Sequence, residues 1–254
     1  MNAQTSRDAF TRVRDFAGAV RQVESLSALR GLLGDVVPSF GVDYFLMAHH
    51  VDFGRPIPGA VQMGNYPREF VARQREVGGW RHDPVLLACE RTTTGFFWSQ
   101  LGELIQLQPK HMQRVAEVRR AGLGEGFAVP NHIPGEYSGS VQFAVEHGRS
   151  FPKEMASALQ SLATYAFEAA RRLARSSEEP IVLSAPLTER QLDCLLLAAR
   201  GKSDTDIGHL LGISPRTVNS YMEEAKRRYC VATRQQLMIL ALFNRQITFS
   251  EVLQ

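Results

Sequence analysis

The stretch that most restricts this chain is SDTDIGHLLGISPRTVNSYMEEAKRRY, Ser203 to Tyr229, where two short helical patterns meet at a Gly-Ile-Ser corner. In the first, Ile207, Leu210 and Leu211 recur at the i, i+3, i+4 spacing of one buried helical face, and Ser203 with Asp206 forms an S-x-x-D start signal. Gly212 supplies the backbone freedom at which a helix stops, and Ile213 follows as an apolar plug between two helices. Ser214 restarts the chain as an N-cap. Pro215 suits the first helical position because its missing N–H would have no intrahelical partner there. Val218, Met222 and Ala225 then face inward. Arg216, Thr217, Asn219, Ser220 and Tyr221 are left near the helix N-terminus, the part of a recognition helix that meets base edges in the major groove. The pattern predicts a helix-turn-helix. A plain helical hairpin with a solvated basic end would share the apolar spacing but not the cap-turn-cap register.

Charge adds a little. From Ser214 to Cys230, Arg216, Lys226, Arg227 and Arg228 stand against Glu223 and Glu224, with the acids mid-helix and the bases at its two ends. On a major-groove helix the bases would lie where it passes the flanking phosphates, although a solvated charged face would look much the same. The net charge of +3 is too small to mark a nucleic-acid binder by itself.

The 254 residues suit one large domain or two of ordinary size, and a hydrophobic content of 44% is enough to bury a core in each. No apolar run approaches the ~20 residues of a membrane helix. The start, MNAQTSRDAFTRVRDF, lacks the apolar core of a secretory signal, so a cytoplasmic protein with no membrane partner is expected. Cys89, Cys194 and Cys230 are odd in number and have neither disulfide nor zinc spacing, and are expected to be reduced, buried small residues. The adjacent His49 and His50 would point to opposite faces of a strand, so no metal site is expected. No nucleophile–base constellation suggests catalytic residues or an enzyme. The Gly122, Gly124, Gly126 run lacks the spacing of a dinucleotide fingerprint and precedes a strand pattern rather than a helix, which argues against phosphate binding.

Ahead of the helix-turn-helix, residues 6–37 read as helical, with Phe10, Val13, Phe16, Ala17 and Val20 on one face and Leu26, Leu29, Leu32 and Leu33 following. Strands are predicted at 42–51, 59–63 and 95–98 and in two segments between Gly122 and Gly148, with helices after Pro67, at 109–121 and at 152–174. The polar, proline-bounded run 175–186 reads as a linker between domains 1–174 and 187–254. Past it, Thr188 with Gln191 and Thr233 with Gln236 form capping boxes. The fold class is therefore α+β. An N-terminal α/β/α sandwich around an antiparallel sheet of about five strands is followed by an all-α, four-helix helix-turn-helix domain. Four short helices bury little core, so packing on a second copy or on the first domain is expected.

These residues carry a family likeness. LTERQLDCLLLAARGKSDTDIGHLLGISPRTVNSY resembles the DNA-binding domain of LuxR-type transcription regulators. NYPREF, then HDPV, then FFW ending at Trp98, then AGLGEGFAVP, resemble in order and spacing the acyl-homoserine-lactone-binding domain of the quorum-sensing members. The resemblance implies a small-molecule signal, probed in a pocket between the sheet and one helical layer, and no cofactor. It implies that Asp83 accepts from the ligand's amide N–H and that Tyr66 donates to the acyl carbonyl, roles their chemistry permits. Read without it, Asp83 is a cap before Pro84. Val85 and Trp98 would complete the lining.

Three positions depart from the family pattern. Phe70 replaces the usual Trp whose indole N–H donates to the lactone carbonyl, Gln74 replaces an aromatic residue, and Gln142 replaces Ser or Thr. An unpaired buried carbonyl costs on the order of 1–3 kcal/mol, roughly ten- to a hundred-fold in affinity. Either Gln142, Gln74 or Trp80 supplies the donor, or the ligand is not a standard lactone. In the helical domain Gln191 replaces Glu and Tyr221 replaces His without loss of hydrogen-bonding capacity. The expected function is a ligand-responsive regulator that binds a double-stranded DNA operator as a homodimer, reading an inverted repeat with half-sites ~10 bp apart. Arg216, Thr217, Asn219 and Ser220 are expected to meet bases or phosphates, and Lys226, Arg227 and Arg228 phosphates alone. A ligand-independent regulator whose first domain serves only dimerisation is the alternative. A phosphoreceiver is disfavoured because no acidic cluster follows a first strand.

Overall fold

A computed structural model describes residues 3–55, 57, 59–78, 82–133, 136–177 and 186–253. The chain divides into two compact units, one built from Met1–His132 and Tyr137–Glu179, the other mainly from Pro180–Gln254. The linker expected at 175–186 falls largely outside the described residues.

The first unit opens with two helices where the sequence reads as one long helical region. These are α1 (Ala3–Ala19) and α2 (Leu26–Val36), separated because Ser25 caps α2 by accepting from the Ala28 N–H. Phe10, expected on the buried face of α1, is exposed, and Ala9 takes the inward place beside Val13 and Phe16. The strands are β1 (Tyr44–His49) and β2 (Gln62–Gly64), followed by helices α3 (Arg68–Val77) and α4 (Pro84–Cys89). Then come β3 (Phe96–Phe97), α5 (Leu101–Leu104), α6 (Pro109–Arg120), β4 (Leu123–Asn131), β5 (Gly139–Glu146) and α7 (Ala156–Ser177). All neighbours in the sheet, ordered β2-β1-β5-β4-β3, are antiparallel.

Strand alternation sorts the side chains. Phe45, Met47, Phe127, Val129, Val141, Phe143 and Val145 pack with α1, α2 and α7 into the main core. Tyr44, Leu46, Ala128 and Ala144 turn to the other face, under the α3–α6 layer. This is the expected sandwich. Gly124 and Gly126 lie inside β4, and Gly122, at φ +84°, forms the turn just before it. A Cβ on Gly126 would sit 2.3 Å from the Trp98 ring, so the residue is small in order to admit the indole, which accounts for it without phosphate.

The second unit holds α8 (Glu189–Ala199), α9 (Asp204–Leu211), α10 (Pro215–Arg228), α11 (Arg234–Phe243) and a fifth short helix not foreseen from sequence, α12 (Phe249–Leu253). The caps are those the sequence implies: Thr188–Gln191, Ser203–Asp206 and Thr233–Gln236 close reciprocal boxes, and Ser214 accepts from the Thr217 N–H. Gly212 ends α9 at φ +67°. Ile207, Val218, Met222, Ala225, Leu195, Tyr229 and Leu237 are buried together. Leu210, expected on that face, is 61% exposed. The inward position of α9 is occupied by Gly208 instead, where a Cβ would lie 2.7 Å from the Ile213 carbonyl oxygen, so the corner comes too close for a side chain. Cys89 and Cys194 are buried, but Cys230, just past the end of α10 at φ 51°, is exposed, against expectation.

Candidate functional site

Between the sheet and the α3–α6 layer lies a cavity of about 410 Å³, within the range of small-molecule sites. Of the residues expected to bind a ligand, Tyr66, Phe70, Gln74, Asp83, Val85, Trp98 and Gln142 all line it. Trp80 lies outside the described residues.

Local sequence places Asp83. It caps α4, its Oδ1 accepting from the Val85 N–H at 2.9 Å, and Pro84 occupies the first helical position. Its Oδ2 accepts from Nε of Arg114 on α6, also at 2.9 Å, with both side chains 14% exposed. Asp83 therefore caps α4 and lines the cavity at once. Arg114 was not singled out from sequence. Its guanidinium stacks on the Phe70 ring, Cζ 4.8 Å from the centroid, and its Nη1 lies 3.4 Å from Glu117. Nothing local in sequence announces this pair, since 31 residues separate its members.

Two residues lining this cavity carry buried donors without a partner among the described residues, the Tyr66 hydroxyl and the Trp98 indole N–H. Burial, then the neighbouring Asp83, push the Tyr66 phenol above its usual range, so it keeps its proton and can donate. Gln142 is nearly buried and its amide reaches the Ser140 hydroxyl at 3.4 Å. Leu46, Val71, Leu86, Val115 and Val118 add an apolar stretch of wall, and Arg75, Arg119, Glu125 and Arg149 also line the cavity.

In the second unit, Arg216, Asn219, Ser220, Glu223 and Arg227 form one exposed stripe of α10, opposite buried Val218, Met222 and Ala225. Thr217 is half-buried, its hydroxyl 2.8 Å from that of Ser214. Lys226 and Arg228 are engaged internally. Nζ of Lys226 meets Glu223 at 2.7 Å and the Ala232 carbonyl at 3.2 Å, and Arg228 donates to the Pro186 carbonyl at 2.9 Å. Arg234 of α11 makes a two-pronged pair with Asp204 at 2.6 and 2.8 Å and also donates to the Asn219 side-chain oxygen at 3.3 Å.

Residues 25–170 match the autoinducer binding domain family, and residues 185–241 match the luxR family of bacterial regulatory proteins. The chain belongs to the LuxR family. Among similar LuxR-family proteins, the transcriptional activator AhyR of Aeromonas hydrophila is 26% identical over 211 residues, 82% of this chain and 81% of that one. The transcriptional activator BjaR1 of Bradyrhizobium diazoefficiens is 30% identical over 193 residues, 70% and 76% of the two chains. The crystal structure of Escherichia coli SdiA, at 20% identity and a TM-score of 0.69 over 96% of this chain and 99% of that one, shares the fold. So does SdiA in complex with octanoyl-rac-glycerol, at 21% identity and a TM-score of 0.69 over 92% and 95%. As a LuxR-family member the chain is a transcription regulator with an autoinducer-type small-molecule domain, not an enzyme. Among the described residues no helix is long and apolar enough to cross a membrane.

Proposed function

We propose that this chain is a cytoplasmic quorum-sensing regulator that binds an acyl-homoserine lactone, or a related acyl signal, in its first domain and an inverted-repeat operator as a homodimer. The observation that carries the ligand half is the cavity itself: two residues with unpartnered buried donors, Tyr66 and Trp98, and the Asp83 carboxylate line it together with apolar side chains such as Leu46, Val71 and Val115. Buried donors left without acceptors cost stability, and a ligand oxygen relieves that cost. The acyl glycerol bound by SdiA, a structural relative, supports an acyl chain as the ligand's apolar part. The domains are taken as 1–174 and 187–254 with 175–186 as linker. On α10, Arg216, Asn219, Ser220 and Arg227 present the DNA face, with Thr217 at its edge. Lys226 and Arg228 hold the unit together and contribute to phosphate binding only by displacing their internal partners.

Small molecules co-purifying with the full chain identify the signal by mass spectrometry, and fluorescence anisotropy on a palindromic duplex with half-sites ~10 bp apart measures operator binding. A ligand at 100 times its Kd should add about 2.7 kcal/mol to the first domain's stability. A chain that carries no acyl compound, gains no thermal stability from any, and binds its operator equally well without them would leave the dimerisation-only reading instead.

A further inference from the structure

Of the four arginines among the described residues that line the cavity, Arg75, Arg119 and Arg149 are exposed, and Arg114 is the shielded one. Arg114 spends Nε on Asp83 and Nη1 on Glu117, while its Nη2 makes no hydrogen bond among the described residues. The side chain is 14% exposed, pinned from one side by the Asp83 carboxylate and from below by the Phe70 ring, so its remaining donor keeps a fixed place at the cavity wall. Arg114 lines the same cavity as the Tyr66 hydroxyl and the Trp98 indole N–H, and Phe70, beneath it, has no donor of its own. Electrostatics narrow what can bind there. The guanidinium already faces two carboxylates, Asp83 at 2.9 Å and Glu117 at 3.4 Å, so a ligand carboxylate would meet a site whose positive charge is already balanced. A neutral carbonyl oxygen accepts from the guanidinium without that penalty, in a charge-assisted bond.

We propose that Arg114 selects the ligand: its free Nη2 donates to an uncharged carbonyl oxygen on the ligand's head group, so the cavity takes acyl compounds whose head is neutral and carries a carbonyl of its own. This rests on the acyl-ligand reading above and adds to it a specificity-determining residue and a head-group class. Phe70 contributes by supporting the guanidinium, and Asp83 by orienting it.

The test uses the full chain and three probes: N-octanoyl-homoserine lactone, the matching octanoyl amide of 3-aminotetrahydrofuran, which lacks only the lactone carbonyl, and ring-opened N-octanoyl-homoserine, which carries a carboxylate. Calorimetric affinities are measured for the wild type and Arg114→Met. In the wild type the lactone is expected to bind about ten- to a hundred-fold tighter than the tetrahydrofuran amide, and tighter than the opened acid. In Arg114→Met the first preference should fall to within about twofold, the mark of a direct coupling in a double-mutant cycle. A merely structural role for Arg114 would weaken both neutral probes together and leave their ratio unchanged, which would overturn the assignment. So would a wild-type ratio near one, a result that decides the matter even if the variant does not fold. Tighter binding of the opened acid than of the lactone would overturn the neutral head group. A wild type that binds none of the three would instead defeat the acyl-ligand reading itself.

Discussion

Gly208→Ala should destabilise the helical unit, although alanine is the better helix former. In an exposed helix the change from Gly to Ala gains about 1 kcal/mol, because glycine loses more backbone freedom on folding. At Gly208 the new methyl would lie 2.7 Å from the Ile213 carbonyl oxygen and 3.3 Å from the Pro215 nitrogen. Both are backbone atoms, and the Gly208 carbonyl is itself held by the Ile213 N–H at 3.0 Å, so the corner cannot swing aside without breaking its own bond. Overpacking of this sort costs about 1–3 kcal/mol, and with backbone on both sides we take the upper end. Subtracting the helix gain leaves a net loss of about 2 kcal/mol, which in a unit this small lowers Tm by roughly 8–16 °C. Gly31→Ala in α2 is the control, exposed and with nothing within 4 Å of the added methyl. It should stabilise the first unit by up to about 1 kcal/mol. Differential scanning calorimetry of the full chain reads both. If Gly208→Ala melts at or above the wild type, the close approach at the turn is not what fixes this position.

Three further outcomes are expected. The first unit should lose stability in acid: burial, then Arg171, lowers the His49 pKa to about 4, and burial, then His132 and His49, lowers that of His50 to about 3. Both are neutral when folded and near 6.5 when unfolded, so their contribution is complete above pH 6.5 and declines below it, by on the order of 2 kcal/mol per histidine at pH 5. Glu90, 3.8 Å from His50 but 54% exposed, does not offset burial, and protonating His49 Nδ1 would break its bond from the Val61 N–H; urea melts at pH 7.5 and 5 that coincide would refute this. Gly126→Ala should push Trp98 aside, costing about 1–3 kcal/mol and most of the ligand-induced gain in Tm; a variant that keeps wild-type ligand affinity would count against the placement of the indole. Arg216→Ala should weaken binding to every duplex and lower the salt slope by about 1, whereas Lys226→Ala should chiefly cost stability; equal slopes for Arg216→Ala and the wild type would remove Arg216 from the DNA face.

The parts of this chain legible in the sequence are those whose physics is local. Caps act over three residues, and Ser203–Asp206, Ser214 and Thr233–Gln236 stand where their side chains imply. Thr248 and Glu251 form a further box of the same local kind, with bonds of 2.7 and 3.3 Å, that starts α12. Periodicity failed at Leu210 because it marks apolar residues without saying how near the neighbouring helix comes, and here a glycine holds the inward place. Arg114 and the internal partner of Arg228 were hidden for another reason. Asp83 reaches Arg114 and Pro186 reaches Arg228 from distant segments, so only the tertiary fold brings those donors to their acceptors, whereas Lys226 and Glu223 are a local i,i+3 pair. The cavity residues were legible by family likeness, while the ion pair that changes the cavity's chemistry was not.

The bond from Arg234 to Asn219 bears on what α10 can read. A bidentate contact to adenine asks an asparagine for both ends of its amide, the oxygen accepting from N6 and the nitrogen donating to N7. Here the oxygen already accepts from Arg234, which Asp204 in turn holds in place. If α10 enters the groove as proposed, Asn219 would arrive there with its NH2 group as the end more fully on offer. That end suits positions presenting bare acceptors, guanine O6 and N7 or thymine O4, and adenine requires it to share or surrender the arginine. On the proposed DNA face, a vocabulary of bases would thus be partly set by a residue on α11, a helix removed from the one that reads.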